Sequence, residues 1–212
     1  MKRIISLSIL FLLIFNCLGI NKSDLISLNS YWEEHTLDQE FLNQLNRGNK
    51  YTPIQIHLLL VEKVLRKNSN NEKRNKLIDV LHEYAIKGAF PINNHHKNRM
   101  PYFIDDYGIA CAVGHLIIKS GNENLAKRIS NESNYLYLRE MCYPEITIWA
   151  KEFGFSIDEL MWIQPSYGPS CAVETKRDAC FNSICGCINP NFIQYLQLLM
   201  LYLNITMAMG GL

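Results

Sequence analysis

Apolar residues recur at helical spacing along most of this chain, and that pattern restricts the fold more than any other feature. Ile54, Leu58 and Val61 are three or four residues apart and would share one face of a helix. The preceding Thr52-Pro53 pair is typical of a helix start, because threonine can cap a helix and proline suits its first turn. No alternating apolar run in the sequence is long enough to predict a sheet. We therefore predict a mainly α fold.

Further helix boundaries follow from the sequence. Gly88 comes after a second helical pattern and is expected to end it, as glycine does at many helix C-termini. Tyr143-Pro144 predicts the start of a later helix. Ser156 and Glu159 have the spacing of a capping box and predict one more. Together these helices predict one compact helical domain over residues 31–168.

The amino end has the layout of a secretory signal. Met1-Lys2-Arg3 is basic, and residues 4–15 contain only apolar residues and two serines. This apolar stretch is shorter than the roughly 20 residues that a membrane-spanning helix needs. We predict that residues 1–16 are a signal peptide that is removed on export.

The end of this segment, Leu13-Ile14-Phe15-Asn16-Cys17, resembles the lipobox of bacterial lipoproteins. The resemblance implies that Cys17 becomes the first residue, carries acyl chains such as palmitate, and anchors the chain to a membrane. More than one acyl chain is needed for stable anchoring. A strict lipobox has a small residue directly before the cysteine, where this chain has Asn16. Plain secretion, with cleavage after Gly19, is the alternative.

Residues 21–30 are mostly polar, and we predict that residues 17–30 form a lipidated tether below the domain. The expected location is therefore the bacterial cell envelope, facing the periplasm or the exterior. The chain has 21 Lys and Arg against 20 Asp and Glu, for a formal net charge of +1. Nucleic-acid-binding proteins usually carry a clear basic excess, so no nucleic-acid partner is expected. The predicted partner is the membrane, reached through the N-terminal lipid.

The residues that could take part in catalysis or bind a metal lie in the segment before residue 120. Asp105 or Asp106 is predicted to cap a helix that starts near Tyr107. Cys111 and His115 are four residues apart and would face the same way on that helix. A helix start and a nearby histidine can both lower a thiol pKa. These residues therefore suggest a Cys–His dyad, with an aspartate as the orienting group.

Two other interpretations of the same residues stay open. Cys111 and His115 could supply two zinc ligands, with His95 or His96 supplying the others. Alternatively, Cys111 is oxidised or packed in the core, His115 donates to a backbone carbonyl, and the aspartates only cap. This structural interpretation is favoured, because an exported protein seldom keeps a free thiol. No cofactor is therefore expected, and zinc is the alternative.

A wider set of motifs resembles an uncharacterised family of exported bacterial proteins. The resemblance covers roughly residues 75–170 and implies a shared fold, but it implies no activity. The motifs that carry it are Pro-Tyr-Phe-Ile-Asp-Asp (101–106), Cys-Ala-Val-Gly-His-Leu (111–116), Trp149-Ala150, Gly154-Phe155-Ser156, Glu159-Leu160 and Ile-Gln-Pro-Ser-Tyr (163–167).

The composition changes after residue 168. Four cysteines lie within residues 169–190, and in an oxidising compartment two disulfides are the better interpretation of them than zinc. A Cys185–Cys187 bond would have poor geometry, so two pairings remain, each joining Cys171 and Cys180 to Cys185 and Cys187. We predict a disulfide clasp in this segment.

Residues 191–212 are apolar and uncharged. We predict a packed or interfacial helix there, with a membrane-spanning segment as the alternative. The whole chain has seven cysteines. If Cys17 carries lipid and four cysteines pair in the clasp, Cys111 and Cys142 remain and are predicted to pair with each other.

These features predict an exported, membrane-anchored lipoprotein with a binding or structural role at the cell envelope. The alternative is an enzyme or a metal-binding protein that uses Cys111 and His115 with Asp105 or Asp106. If Cys17 carries lipid, six cysteines remain and all of them can pair. This even number favours the first interpretation, because a Cys111–Cys142 disulfide would remove the catalytic thiol.

Overall fold

A computed structural model describes residues 19–67 and 71–170 of the chain. Four predictions lie outside these residues: the signal peptide, lipid attachment at Cys17, the disulfide clasp and the apolar C-terminal helix. Within them the prediction of a mainly α fold is confirmed. The described chain forms eight α-helices, and its only β-type pairings are isolated bridges.

The helices follow one another with short connections except at one place. Three short 3₁₀ helices (Ser30–Glu33, Arg47–Asn49 and Leu138–Glu140) lie between them. The α-helices are α1 (Lys22–Leu28), α2 (Gln39–Asn46), α3 (Pro53–Lys67), α4 (Glu72–Lys87), α5 (Ala112–Lys119), α6 (Glu123–Ser133), α7 (Pro144–Phe153) and α8 (Ile157–Ile163).

Four of the predicted helix boundaries are confirmed. Helix α3 begins at Pro53. Gly88 ends α4 in the left-handed conformation, with φ of 68°, which glycine adopts without steric cost. Pro144 is the first residue of α7. The Ser156 hydroxyl accepts from the Glu159 backbone N–H and the Glu159 carboxylate accepts from the Ser156 N–H, so the predicted capping box is present.

The core is built around α5, which is short and almost wholly apolar. Ala112, Val113, Leu116 and Ile117 on this helix have no exposed surface. The helix packs against α4 on one side and α6 on another, and α3 packs along α4. Because the central helix is buried on most sides, the segments that enter and leave it are held in place by the core.

The predicted tether is partly wrong. Residues 22–28 form α1, and Leu25 and Leu28 on this helix are buried in the common core. The Asn29 side-chain amide donates to the carbonyls of Met161 and Trp162 at 2.8 and 2.9 Å, at the end of α8. Helix α1 packs against α3 and the 3₁₀ helix Ser30–Glu33, so the burial of its apolar side chains depends on contacts outside the segment. The domain therefore begins before residue 31.

None of the helices in residues 19–67 and 71–170 is long and apolar enough to cross a membrane.

Candidate functional site

The connection between α4 and α5, residues 88–111, is long and forms neither a helix nor a strand. Buried Asp105 holds it together. One carboxylate oxygen of Asp105 accepts from the backbone N–H groups of Tyr107 and Ile109 at 2.9 and 2.8 Å. The other accepts from the N–H of Ile92 at 2.9 Å. The predicted helix start near Tyr107 is therefore wrong, because this aspartate closes a turn.

The far side of the connection is tied to the helical scaffold. The Asn134 side chain accepts from the N–H of Ile104 at 2.8 Å and donates to its carbonyl at 2.9 Å. Met100 and Tyr167 exchange two backbone hydrogen bonds of 3.1 and 2.8 Å. Loops of this length without regular structure are uncommon in compact domains, and those that are ordered are usually functional.

Tyr102 is the centre of a buried polar network in this connection. Its hydroxyl donates to the side-chain oxygen of Asn93 at 2.8 Å. That hydroxyl has one proton, so the 2.7 Å contact with Nδ1 of His96 must have the imidazole as donor. The N–H of His95 also donates to the hydroxyl oxygen, at 3.2 Å. The network fixes both predicted histidines relative to the scaffold.

His95 and Asp106 lie on the outer side of the connection and are joined by a hydrogen bond, which is an ion pair when the imidazole is protonated. Nε2 of His95 lies 2.8 Å from a carboxylate oxygen of Asp106, and their side chains are 49% and 50% exposed. The hydrogen bond from His95 lowers the pKa of Asp106. Because Nε2 is the donor to the carboxylate, Nδ1 is the free nitrogen of the ring, and within the described residues it makes no hydrogen bond.

Two exposed apolar side chains flank this ion pair. Tyr107 is 68% exposed and Ile92 is 42% exposed. Both are held through their backbone N–H groups by Asp105. We call Ile92, His95, Asp106 and Tyr107 the recognition surface. It is an exposed patch with aromatic, aliphatic and charged components on a rigid support.

Cys111 is the last residue of this connection and the N-cap residue of α5. It has no exposed surface, and its sulfur accepts from the N–H of Gly114 at 3.3 Å. Burial raises the pKa of the thiol to about 12, although the hydrogen bonds of the helix start act in the opposite direction. The predicted lowering of this pKa is wrong, because desolvation of the thiolate outweighs the helix start.

Gly114 explains why Cys111 is so deeply enclosed. A Cβ at this position would lie 3.1 Å from the carbonyl oxygen of Phe103 and 3.3 Å from the Cβ of Ala110. The surface of α5 is therefore narrow at Gly114. The neighbour that approaches it is the connecting segment.

His115 does not form a dyad with Cys111. Its ring lies 4.7 Å from the ring of Tyr84, centroid to centroid, and makes no hydrogen bond within the described residues. Burial lowers the pKa of His115, and the positive charges of Lys119 and Lys87 lower it further. The imidazole is neutral at pH 7.

The predicted Cys111–Cys142 disulfide is also wrong in this structure. Both cysteines are unpaired, with Cys111 in the core and Cys142 exposed before α7. In the described part of the chain no three His, Cys, Asp or Glu side chains are grouped to hold a metal ion. His95 and His96 are thus separated from Cys111 and His115, and the four predicted zinc ligands do not form one site.

Sequence reasoning missed the residues that build the site. Asn93, Tyr102 and Asn134 have no periodicity, and Asn134 lies 30 residues from the backbone that it holds. The concentration of asparagine and aromatic residues in residues 90–107 was the available signal, because such side chains often hydrogen-bond the backbone of irregular segments.

Comparison of the chain with protein-family models, curated proteins and solved structures found no match.

Proposed function

We propose that this chain is an exported, lipid-anchored protein of the bacterial cell envelope whose helical domain binds a protein partner through the recognition surface. The signal sequence and Cys17 support export and anchoring. The observation that carries the binding role is the connection of residues 88–111, whose backbone is held by hydrogen bonds to Asp105, Asn134 and Tyr167 and which carries exposed side chains.

Rigidity favours binding, because a segment that is already ordered loses little conformational entropy when a partner docks. Asp105 accepts three backbone hydrogen bonds, and Asn134 makes two more with Ile104. These bonds maintain the backbone that presents Tyr107. An exposed tyrosine offers a large apolar contact area and a polar tip, which is why tyrosine is enriched at interfaces.

The polar half of the surface gives the contact its specificity. The His95–Asp106 ion pair presents a carboxylate and the free Nδ1 of the imidazole beside the two apolar side chains. A partner must match both components in order to dock. The alternative of an enzyme that uses Cys111 is less well supported, because its thiol is buried and its pKa is raised to about 12.

Site-specific photo-crosslinking tests the binding role. A photoreactive phenylalanine replaces Tyr107 in the full chain, in cells that make the protein, and the matched control places it at Ile148. The two positions are 68% and 65% exposed, and Ile148 lies on α7 outside the recognition surface. We expect a discrete adduct from position 107 and none from position 148. Identical adduct patterns from the two positions would refute the binding role.

Fractionation tests the anchor separately. Cys17→Ala should move the protein from the membrane fraction to the soluble fraction, because the acylated cysteine is lost. Cys142→Ala is the matched control and should stay with the membrane. If Cys17→Ala also stays there, Cys17 is not the anchor.

A further inference from the structure

A half-open cavity of about 160 Å³ lies beside α1 and the end of α8. It is separate from the recognition surface, since none of the four residues of that surface lines it. Its walls are formed by residues 26–31, by residues 137–139 and by Met161, Gln164 and Ser166.

Hydrogen bonds between distant segments hold the walls in place. The Asn29 amide donates to the carbonyl of Gln164 at 2.9 Å. The Gln164 side-chain oxygen accepts from the N–H of Leu138 at 2.9 Å. The N–H of Ser166 donates to the carbonyl of Leu28 at 2.9 Å. Three separate parts of the chain are therefore joined around the cavity, which is preformed.

One arginine lines this cavity, and a second is hydrogen-bonded to a residue of its wall. Arg139 lines it, and its guanidinium carbon lies 4.7 Å from the centroid of the Tyr137 ring. Arg99 donates through Nη2 to the carbonyl of Ser166 at 2.7 Å and through Nε to its hydroxyl at 3.3 Å. Arg99 also interacts electrostatically with Tyr137. Both guanidinium groups therefore interact with Tyr137.

Neither guanidinium is neutralised by a carboxylate in the part of the chain that the structure describes. Arg66, Arg74 and Arg128 all form salt bridges, whereas Arg99 and Arg139 form none. Nη1 of Arg99 and all the nitrogens of Arg139 also lack hydrogen-bond partners among these residues. Although Arg99 as a whole is exposed, partial desolvation lowers its pKa. An anion that reached these donors would offset that desolvation.

We propose that this cavity binds a small organic carboxylate. The carboxylate accepts hydrogen bonds from Arg139 and from Nη1 of Arg99, and the body of the ligand enters the cavity. A cavity of roughly 150 Å³ has room for benzene, so the body is about the size of one ring. Tyr31 and Tyr137 provide aromatic surface for it. The proposal does not rest on the recognition surface or on the lipid anchor.

Ligand-observed NMR with the purified full chain tests the site, with benzoate as the probe. Benzamide is the matched neutral probe, because it has the same ring and no charge. We expect benzoate binding to saturate in the millimolar range and benzamide to bind about tenfold more weakly, as the loss of charge-assisted hydrogen bonds implies. Benzoate signals that do not saturate, or equal binding of the two probes, would overturn the proposal.

Substitutions locate the binding. Arg139→Gln and Arg99→Gln should each weaken benzoate binding about tenfold. Arg47→Gln is the matched control, because Arg47 is exposed, lacks an ion pair among the described residues, does not line the cavity and, unlike Arg99, makes no hydrogen bond to a residue that does. It should bind benzoate as the unmodified chain does. Equal weakening by all three substitutions would show a general charge effect and refute the site. Thermal melts establish that each variant is folded, and because Arg139 is exposed its variant tests the site even if Arg99→Gln unfolds.

Discussion

The indole N–H of Trp32 donates a hydrogen bond of 2.8 Å to Nδ1 of His57 inside the core. His57 has no exposed surface, and Trp32 is 1% exposed. Because Nδ1 accepts this bond, the imidazole proton is on Nε2, which faces the carbonyl of Ile163 at 3.4 Å. The ring is therefore held neutral, and burial lowers its pKa from 6.5 to about 4.

Acidification should destabilise the fold through His57. The unfolded chain takes up a proton at this residue below pH 6.5, whereas the folded chain resists protonation until about pH 4. The contribution of His57 to stability is therefore complete above pH 6.5 and is lost as the pH falls through this window. Between pH 7 and pH 5 we expect the free energy of unfolding to fall by about 2 kcal/mol from this residue. Urea denaturation at the two pH values measures the change.

His57→Gln is the control for that measurement. It keeps a hydrogen-bonding side chain for Trp32 and does not titrate. The variant is expected to be less stable at pH 7 but to lose less stability on acidification. An equal loss in both proteins would assign the pH dependence to other groups.

Cys111 and Cys142 should differ sharply in reactivity. In the folded protein at pH 8, iodoacetamide should label exposed Cys142 and leave buried Cys111 unmodified, because alkylation needs an accessible thiolate. Both should be labelled after denaturation without a reductant. Peptide mass spectrometry measures the extent of alkylation at both cysteines in one sample. Labelling of Cys111 in the folded state, or a disulfide between the two peptides, would contradict the structure.

Arg74 should contribute much more stability than its neighbour Lys73. The Arg74 guanidinium is buried, makes two 2.8 Å hydrogen bonds to Glu159, and donates to the carbonyl of Gly154 at 2.7 Å. Arg74→Met leaves that carboxylate and carbonyl without their donor, so we expect a loss of about 3 kcal/mol in the free energy of unfolding.

Lys73→Met is the matched control for Arg74, because it breaks the exposed salt bridge to Glu152, also of 2.8 Å. Exposed ion pairs contribute little, so its urea midpoint should barely move. Similar losses from the two substitutions would argue that the Arg74 bridge is open to solvent.

Substitutions at the adjacent residues Asp105 and Asp106 should have different effects. Asp105 is expected to stabilise the fold, and Asp106 is expected to contribute to partner binding. Asp105→Ala leaves three backbone N–H groups without their acceptor, and we expect it to lower the free energy of unfolding by about 2–4 kcal/mol. Asp106→Ala removes only the exposed partner of His95, so the thermal midpoint should stay close to that of the unmodified chain. The photo-crosslink from position 107 should nevertheless weaken in Asp106→Ala. If Asp106→Ala is as unstable as Asp105→Ala, Asp106 also stabilises the fold and the prediction is wrong.

Most of the helical framework was predictable because helix signals act over a few residues. Pro53, Gly88 and Pro144 mark boundaries through their own backbone preferences, and Ser156 with Glu159 completes a cap within one turn. The site was much less predictable. The pairs that build it, such as Asn134 with Ile104, join residues far apart in sequence through single side chains.

For Cys111, the sequence and the tertiary structure indicate different thiol chemistry. By itself the sequence determined only that this cysteine lies close to a helix start and four residues before a histidine, which favours a reactive thiolate. Only the tertiary structure decided its chemistry, because packing of the connecting segment against Gly114 excludes water and raises the pKa to about 12. Likewise, the sequence determined α1 only as a short polar segment, and its packing against α3, with the hydrogen bonds from Asn29 to α8, decided that it belongs to the domain. Local preferences act within one helical turn, whereas burial depends on which distant segments meet.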